Sequence, residues 1–234
     1  MKSKIAVMQP YFFPYIGYFQ LINSVDKFVI LDDVNYIKKG WINRNYILVN
    51  SKPCLFTIPL VKPSQNKLIN ETEIAFESNW KKKFLKTIET GYAKAPFFQE
   101  VFDMLAVLMD SREKNLSKFI LLSQKKVIKY LGLKTQIIES SVIYSNSHLK
   151  GEQRITDICR KENSSVYINL PGGTDLYSKN NFIKEGIDLY FIKSDSIEYR
   201  QFKNEFAPSL SMIDVMMFNS KESINQFLNS YELV

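Results

Sequence analysis

The strongest constraint on this chain is the rhythm with which it opens. A short apolar run at residues 4–9 is followed by a stretch with helical spacing at 17–24 and by a second apolar run, KFVIL, at 27–31. Runs that short form strands, and a helix between them returns the chain so that the strands lie side by side and parallel. The rhythm breaks off and then resumes. A hairpin is expected from strands at 46–50 and 54–60 joined across Ser51-Lys52-Pro53, with a further strand at 71–76. Helical periodicity then predicts helices over 79–90, 95–109 and 116–131, with Gly91 and Gly132 at helix ends. Beyond Gly132 strands are expected at 135–139, 166–168 and 188–192. Helices are expected at 153–161, after Gly173, and at 211–218 and 221–228. The expected fold is α/β, a mainly parallel sheet covered by helices, with a Rossmann-like or HUP-like opening unit. A helical insertion at 79–132 falls within a single domain over 1–234.

A chain of 234 residues, 45% of them hydrophobic, can bury a core of this size. No run approaches the roughly 20 apolar residues of a membrane span, and the first residues lack a signal-peptide pattern, so the reading is cytoplasmic with no membrane insertion. Cys54 and Cys159 have no metal-type spacing and read as free thiols. The formal charge of +7 favours anionic partners, including phosphorylated small molecules, tRNA and acidic membranes, without choosing among them.

In open α/β sheets ligands collect beyond the carboxyl ends of the strands, which directs attention to three loops. The first follows the first strand, where MQPYFFPYIGYFQLI places Gln9, Tyr11, Tyr15, Gly17 and Tyr18 as candidates to line a crevice. The inward packing of Phe12, Phe13 and Phe19 is expected. Tyr15-Ile16-Gly17-Tyr18 also has the spacing of the histidine-bearing ATP loop of class I synthetase-like nucleotidyltransferases, with tyrosine at both histidine positions. A neutral tyrosine donates a hydrogen bond but supplies no positive charge. The second loop, DDVNYIKKGWINRN, offers Arg44 as a fork for phosphate, Lys38 and Lys39 as point charges, Trp41 as a stacking surface and Asn43 as a polar contact. Its Asp32 and Asp33 could hold Mg²⁺ or ribose hydroxyls. The third, NLPGGTDLY, could cradle an anion with Asn169 and the amides of Gly172 and Gly173, and Arg154 could reach the same crevice. His148 is the single histidine, which excludes an imidazole zinc site, and Asp32 or His148 is the candidate general base.

These segments, with SQNKLIN at 64–70, the YIN and GG elements around 167–173 and LSMIDVMMFN at 210–219, resemble the WbqC-like family. Its members are bacterial proteins associated with O-antigen and other lipopolysaccharide or surface-polysaccharide gene clusters. The resemblance implies a nucleotide-linked deoxyamino sugar as partner, and an N-acyl or aminoacyl transferase that forms an amide on its amine. The donor would be an acyl-carrier thioester, an aminoacyl-tRNA or an adenylate made with ATP and Mg²⁺. No cofactor is certain and no metal is assigned. Two alternatives stand beside this reading: an ATP-dependent nucleotidyltransferase-like enzyme of the same pathway, and a noncatalytic nucleotide-sugar-binding protein. RNA binding is disfavoured, because the cations cluster in one loop.

Overall fold

The computed structural model describes residues 2–75, 79–203 and 205–234. The opening unit forms as the apolar pattern demands. β1 (Lys4–Met8), α1 (Ile16–Asn23) and β2 (Lys27–Ile30) make a parallel step in which Ile5 pairs with Lys27 and Met8 with Ile30. A hairpin of β3 (Arg44–Val49) and β4 (Lys52–Thr57) follows, standing apart from the main sheet. Its turn sits at Asn50 and Ser51, not at Ser51-Lys52-Pro53. Both turn residues have positive φ, 49° and 62°, the backbone twist that suits a tight hairpin.

Three helices come next: α2 (Trp80–Tyr92), α3 (Phe98–Met109) and α4 (Leu116–Leu131). Gly132 ends α4 in the left-handed conformation, as its position suggests. Gly91 does not end α2; it lies in the last turn, where a Cβ would stand 2.6 Å from the Leu48 carbonyl oxygen. The helix and hairpin touch backbone to backbone there. The strand expected at 71–76 is reduced over its described part to isolated antiparallel bridges, Glu73 with Asn115 and Ile74 with Leu60, and Phe76 lies outside the described residues. Ile69–Glu71 instead forms a 3-10 turn, in which the Leu68 amide donates to the Glu71 carboxylate and the Thr72 hydroxyl donates to the Leu68 carbonyl.

The sheet resumes with β5 (Gln136–Ile138), α5 (Gly151–Lys161), β6 (Val166–Asn169), α6 (Lys179–Lys184) and β7 (Asp188–Ser194). Pro171–Gly173 is a 3-10 turn, so the helix expected after Gly173 starts only at Lys179. α7 (Met212–Phe218), α8 (Lys221–Leu228) and β8 (Tyr231–Leu233) close the chain. β8 escaped the sequence reading and pairs antiparallel with β7.

The six strands lie in the order β5-β2-β1-β6-β7-β8. The first five are parallel, the doubly wound order of a Rossmann-like fold, with the direction of winding reversing between β1 and β6. Side chains alternate across the sheet. Ile5, Val7, Tyr167 and Leu189 pack with α5 and α6, while Ala6, Phe28, Ile168 and Ile192 join α1, α4, α7 and α8. α2, α3 and the hairpin belong to this second cluster, so the helical segment shares one core with the sheet.

Candidate functional site

The aromatic loop after β1 is held open by bonds to segments distant in sequence. Phe12 and Phe13 are buried, as expected. Phe13 has φ 43°, and its carbonyl accepts hydrogen bonds from Asn45 Nδ2 at 2.7 Å and Ser211 Oγ at 2.8 Å. The next carbonyl, of Pro14, accepts from the Met212 amide at 2.9 Å, a first-turn amide of α7 that the helix itself leaves unpaired. With the loop fixed on β3 and α7, Tyr15 projects outward and is 38% exposed.

Tyr15 lies between two open compartments. One, of about 450 Å³, is bounded by Tyr11, Tyr15, Trp41, Tyr46, Pro53 and Pro208. The other, of about 600 Å³, runs from Gly17 at the start of α1 to Asp195, Glu198 and Tyr199 beyond β7. Tyr15, Pro208, Ser209 and Leu210 border both, so the two form one crevice with the Tyr15 ring as its partition. Gly17 is what lets the ring lie there. A Cβ on it would stand 2.3 Å from Tyr15 Cε2. Burial pushes the Tyr11 and Tyr15 hydroxyls above the ordinary phenol range, so both remain proton donors at neutral pH.

The outer wall comes from residues 195–203 and 205–210, anchored by Asp214. This carboxylate is fully buried and accepts from Tyr92 Oη at 2.7 Å, Tyr199 Oη at 2.8 Å and Gln201 Nε2 at 2.7 Å. Burial raises its pKa against the pull of those three donors.

Of the candidates read from sequence, the structure brings Tyr11, Tyr15, Gly17 and Trp41 to this crevice. Lys38 and Lys39 are exposed on the turn leading into Trp41. Arg44 is engaged elsewhere. Its Nε donates to the Gly40 carbonyl at 3.0 Å and its Nη2 to the Lys39 carbonyl, while its guanidinium lies 5.9 Å from the centre of the Trp41 ring. It shapes the Trp41 turn. Asn43 is buried, accepting from Tyr36 Oη and donating to the Ile58 carbonyl, both at 2.8 Å. Tyr18 is fully buried and its hydroxyl donates to the Gln9 carbonyl at 2.8 Å, so it cannot play the second histidine of a nucleotidyltransferase loop. Gln9 is half-buried beside it.

Asp32 and Arg154 form a separate polar cluster at the ends of β2 and β5. Asp32 accepts hydroxyls from Ser117 at 2.8 Å and Ser140 at 2.6 Å, and the Arg154–Asp33 pair, 2.5 Å apart, is buried. With those bonds made, Asp32 organises the strand ends and does not face the crevice lining. Asn169 is buried and caps its own turn through the Leu170 amide at 2.8 Å. The Gly173 amide donates to the Leu170 carbonyl at 2.9 Å and a Cβ there would strike Asn169, so packing explains this glycine and not an anion cradle. Gly172 is exposed on the same turn, and His148 is exposed on the loop before α5.

Matching this architecture, the model of the WbqC-like protein family fits residues 9–226. The chain belongs to the WbqC-like family. Membership takes in every segment that meets at the crevice, from the Tyr15 loop to the Pro208–Leu210 wall. A curated relative in Mycobacterium tuberculosis (strain ATCC 25618 / H37Rv), described as "Uncharacterized protein Rv1507c", is 30% identical over 220 residues, covering 93% of this chain and 94% of its own. No solved structure matches. Among the described residues no helix is long and apolar enough to cross a membrane, and no group of His, Cys, Asp and Glu could hold a metal ion.

Sequence reasoning missed Asp195, Glu198, Tyr199, Pro208 and Ser209. The available signal was the long connection between β7 and α7, since loops of that length inside compact domains are usually functional.

Proposed function

We propose that this protein joins an acyl or aminoacyl group to the amine of a nucleotide-linked deoxyamino sugar, in the assembly of an O-antigen or other surface polysaccharide. The observation that carries this reading is the divided crevice. One side is walled by rings, while the other is lined by Asp195 and Glu198 with no cationic side chain among its described lining, in a chain of net charge +7. A planar base suits the first compartment, stacked on Trp41 and Tyr11, with the diphosphate near the exposed Lys38 and Lys39. An amino sugar suits the second, because carboxylates attract an ammonium group and accept from sugar hydroxyls.

The base role passes from Asp32 and His148 to Glu198. The bound ammonium first gives up a proton to solvent, and the neutral amine nitrogen then attacks the acyl carbonyl carbon of a thioester donor. The C–N bond forms, Glu198 takes the amine proton, the C–S bond breaks, and the proton passes to the departing thiolate. The Tyr15 hydroxyl, kept protonated by its surroundings, donates to the oxyanion. Asp195 is oriented for sugar binding by the Ser230 hydroxyl at 2.7 Å.

The test is incubation with dTDP- or UDP-linked amino sugars and thioester, aminoacyl-tRNA or ATP-dependent donors, read by mass spectrometry for an amide product. Tyr15→Phe is expected to lower kcat by roughly 10²-fold, the usual size for one oxyanion donor. Tight nucleotide-sugar binding without product from any donor would point to the noncatalytic alternative.

A further inference from the structure

Behind the crevice wall lies a second surface of opposite character. α2 and the β3–β4 hairpin enclose a groove in two connected parts of about 400 and 560 Å³, joined at Thr90. Lys83, Lys86, Lys94 and Lys203 stand along it, and no acidic side chain lines it among the described residues. Of these four, Lys86 alone has an ion-pair partner among the described residues, Glu89 at 2.9 Å. Between the lysines the lining is apolar at Val49, Ala93 and Phe202, with the buried Leu48 behind them. On the α2 side the hydroxyls are turned inward, while Asn50 and Ser51 put polar groups only at the hairpin turn. The Thr87 and Thr90 hydroxyls donate to the Lys83 and Lys86 carbonyls, each at 2.8 Å, and so present their methyl groups.

A phosphate backbone is recognised by arginine forks, free hydroxyls and backbone amides, and single strands by aromatic stacking platforms. This groove offers ammonium groups on flexible stems over an apolar strip. The complement is an amphipathic helix with an apolar seam flanked by carboxylates. From Lys83 to Thr90 the helix α2 rises roughly 10 Å, which matches two turns of an opposing helix.

We infer that the groove between α2 and the β3–β4 hairpin docks an acidic amphipathic helix of a partner protein. Resting on the transfer reading above, this makes the acyl donor a carrier protein and not an aminoacyl-tRNA. Groove and crevice share their walls: the hairpin gives Leu48 to one and Tyr46 and Pro53 to the other, and the connection between β7 and α7 gives Phe202 to one and Pro208 to the other. A carrier seated in the groove lies against the elements that bound the reaction site.

The test uses the whole protein and a fluorescein-labelled 16-residue peptide with glutamates flanking a leucine seam. Controls are a peptide of the same composition in non-amphipathic order and bulk tRNA. Fluorescence anisotropy is expected to show binding of the amphipathic peptide only. Lys83→Glu/Lys94→Glu should weaken it at least tenfold, while Lys179→Glu/Lys184→Glu on α6 leaves it unchanged. Equal binding of both peptides, no binding, or tighter binding of tRNA lost in the Lys83/Lys94 variant would each overturn the proposal. Because this equilibrium needs no turnover, it stands or falls apart from the amide-product assay. Nucleotide-sugar affinity of the Lys83/Lys94 variant shows independently that the crevice is intact.

Discussion

Single residues carry more of this crevice than their chemistry suggests. Gly17 is there for a ring, since any larger side chain meets Tyr15 at 2.3 Å. Gly17→Ala is therefore expected to swing Tyr15 off the partition and weaken ligand binding by about tenfold. The cost in stability should be small, because α1 tolerates alanine; calorimetric titration with dTDP beside a melting curve separates the effects. The cysteines offer a second check. Cys159 is buried and its thiol is pushed up to about 12, chiefly by burial, whereas Cys54 is half-buried in β4. With Ellman's reagent at pH 8 one thiol is expected to react promptly and the other only in denaturant. Rapid reaction of both would show that the packing around α5 is looser than described. At this scale the sequence was a partial guide. It marks Tyr15 and Trp41 by type and place, yet Arg44 and Asp32, equally conspicuous, are engaged by backbone carbonyls and serine hydroxyls that no local pattern announces.

Between elements, polar contacts at helix ends fix the sheet. Glu162, at the end of α5, accepts from Lys27 Nζ of β2 at 2.8 Å and from Tyr144 Oη at 2.8 Å, while the same lysine donates to the Glu162 carbonyl at 2.9 Å. Burial works against ionisation, but those bonds outweigh it and hold the carboxyl below its usual range. A depressed carboxylate contributes stability above its unfolded pKa and loses it as pH falls through the folded value. Glu162→Gln is thus expected to lower stability by about 1 kcal/mol at pH 7, with the difference from wild type shrinking as pH falls below the ordinary glutamate range and gone once the folded carboxyl is protonated. Urea melts across that range measure it; a difference that persists in acid would mean lost packing and not lost charge. Element existence was legible where periodicity was long, as in α4, or where a serine cap marks the start, as in the short α8; the bounds of both match the pattern. It failed at residues 71–75, where Glu71 ends a side-chain bonded turn and the chain beyond it makes only isolated bridges, Glu73 with Asn115 and Ile74 with Leu60. The pattern also missed β8, a strand whose exposed side chains leave no apolar alternation to read.

Across the whole molecule, the crevice is assembled from the loop after β1, the hairpin with the Trp41 turn that leads into it, and the connection between β7 and α7. The fold class followed from local rhythm because strands and helices announce themselves over a few residues. The site did not, since its third wall is placed by Asp214 reaching Tyr199 and Gln201 across a turn of irregular chain. The uneven placing of the tryptophans follows from the same assembly: Trp41 is 48% exposed at the crevice, while Trp80 is 9% exposed and packed on Phe119. One indole therefore emits from a wet position in the crevice and the other from a dry one. Titration with dTDP or UDP is expected to change the red-shifted part of the emission and leave the blue part fixed, a response that Trp41→Phe removes. The molecule carries its own optical reporter, so ligand classes can be screened by light before any reaction is assayed.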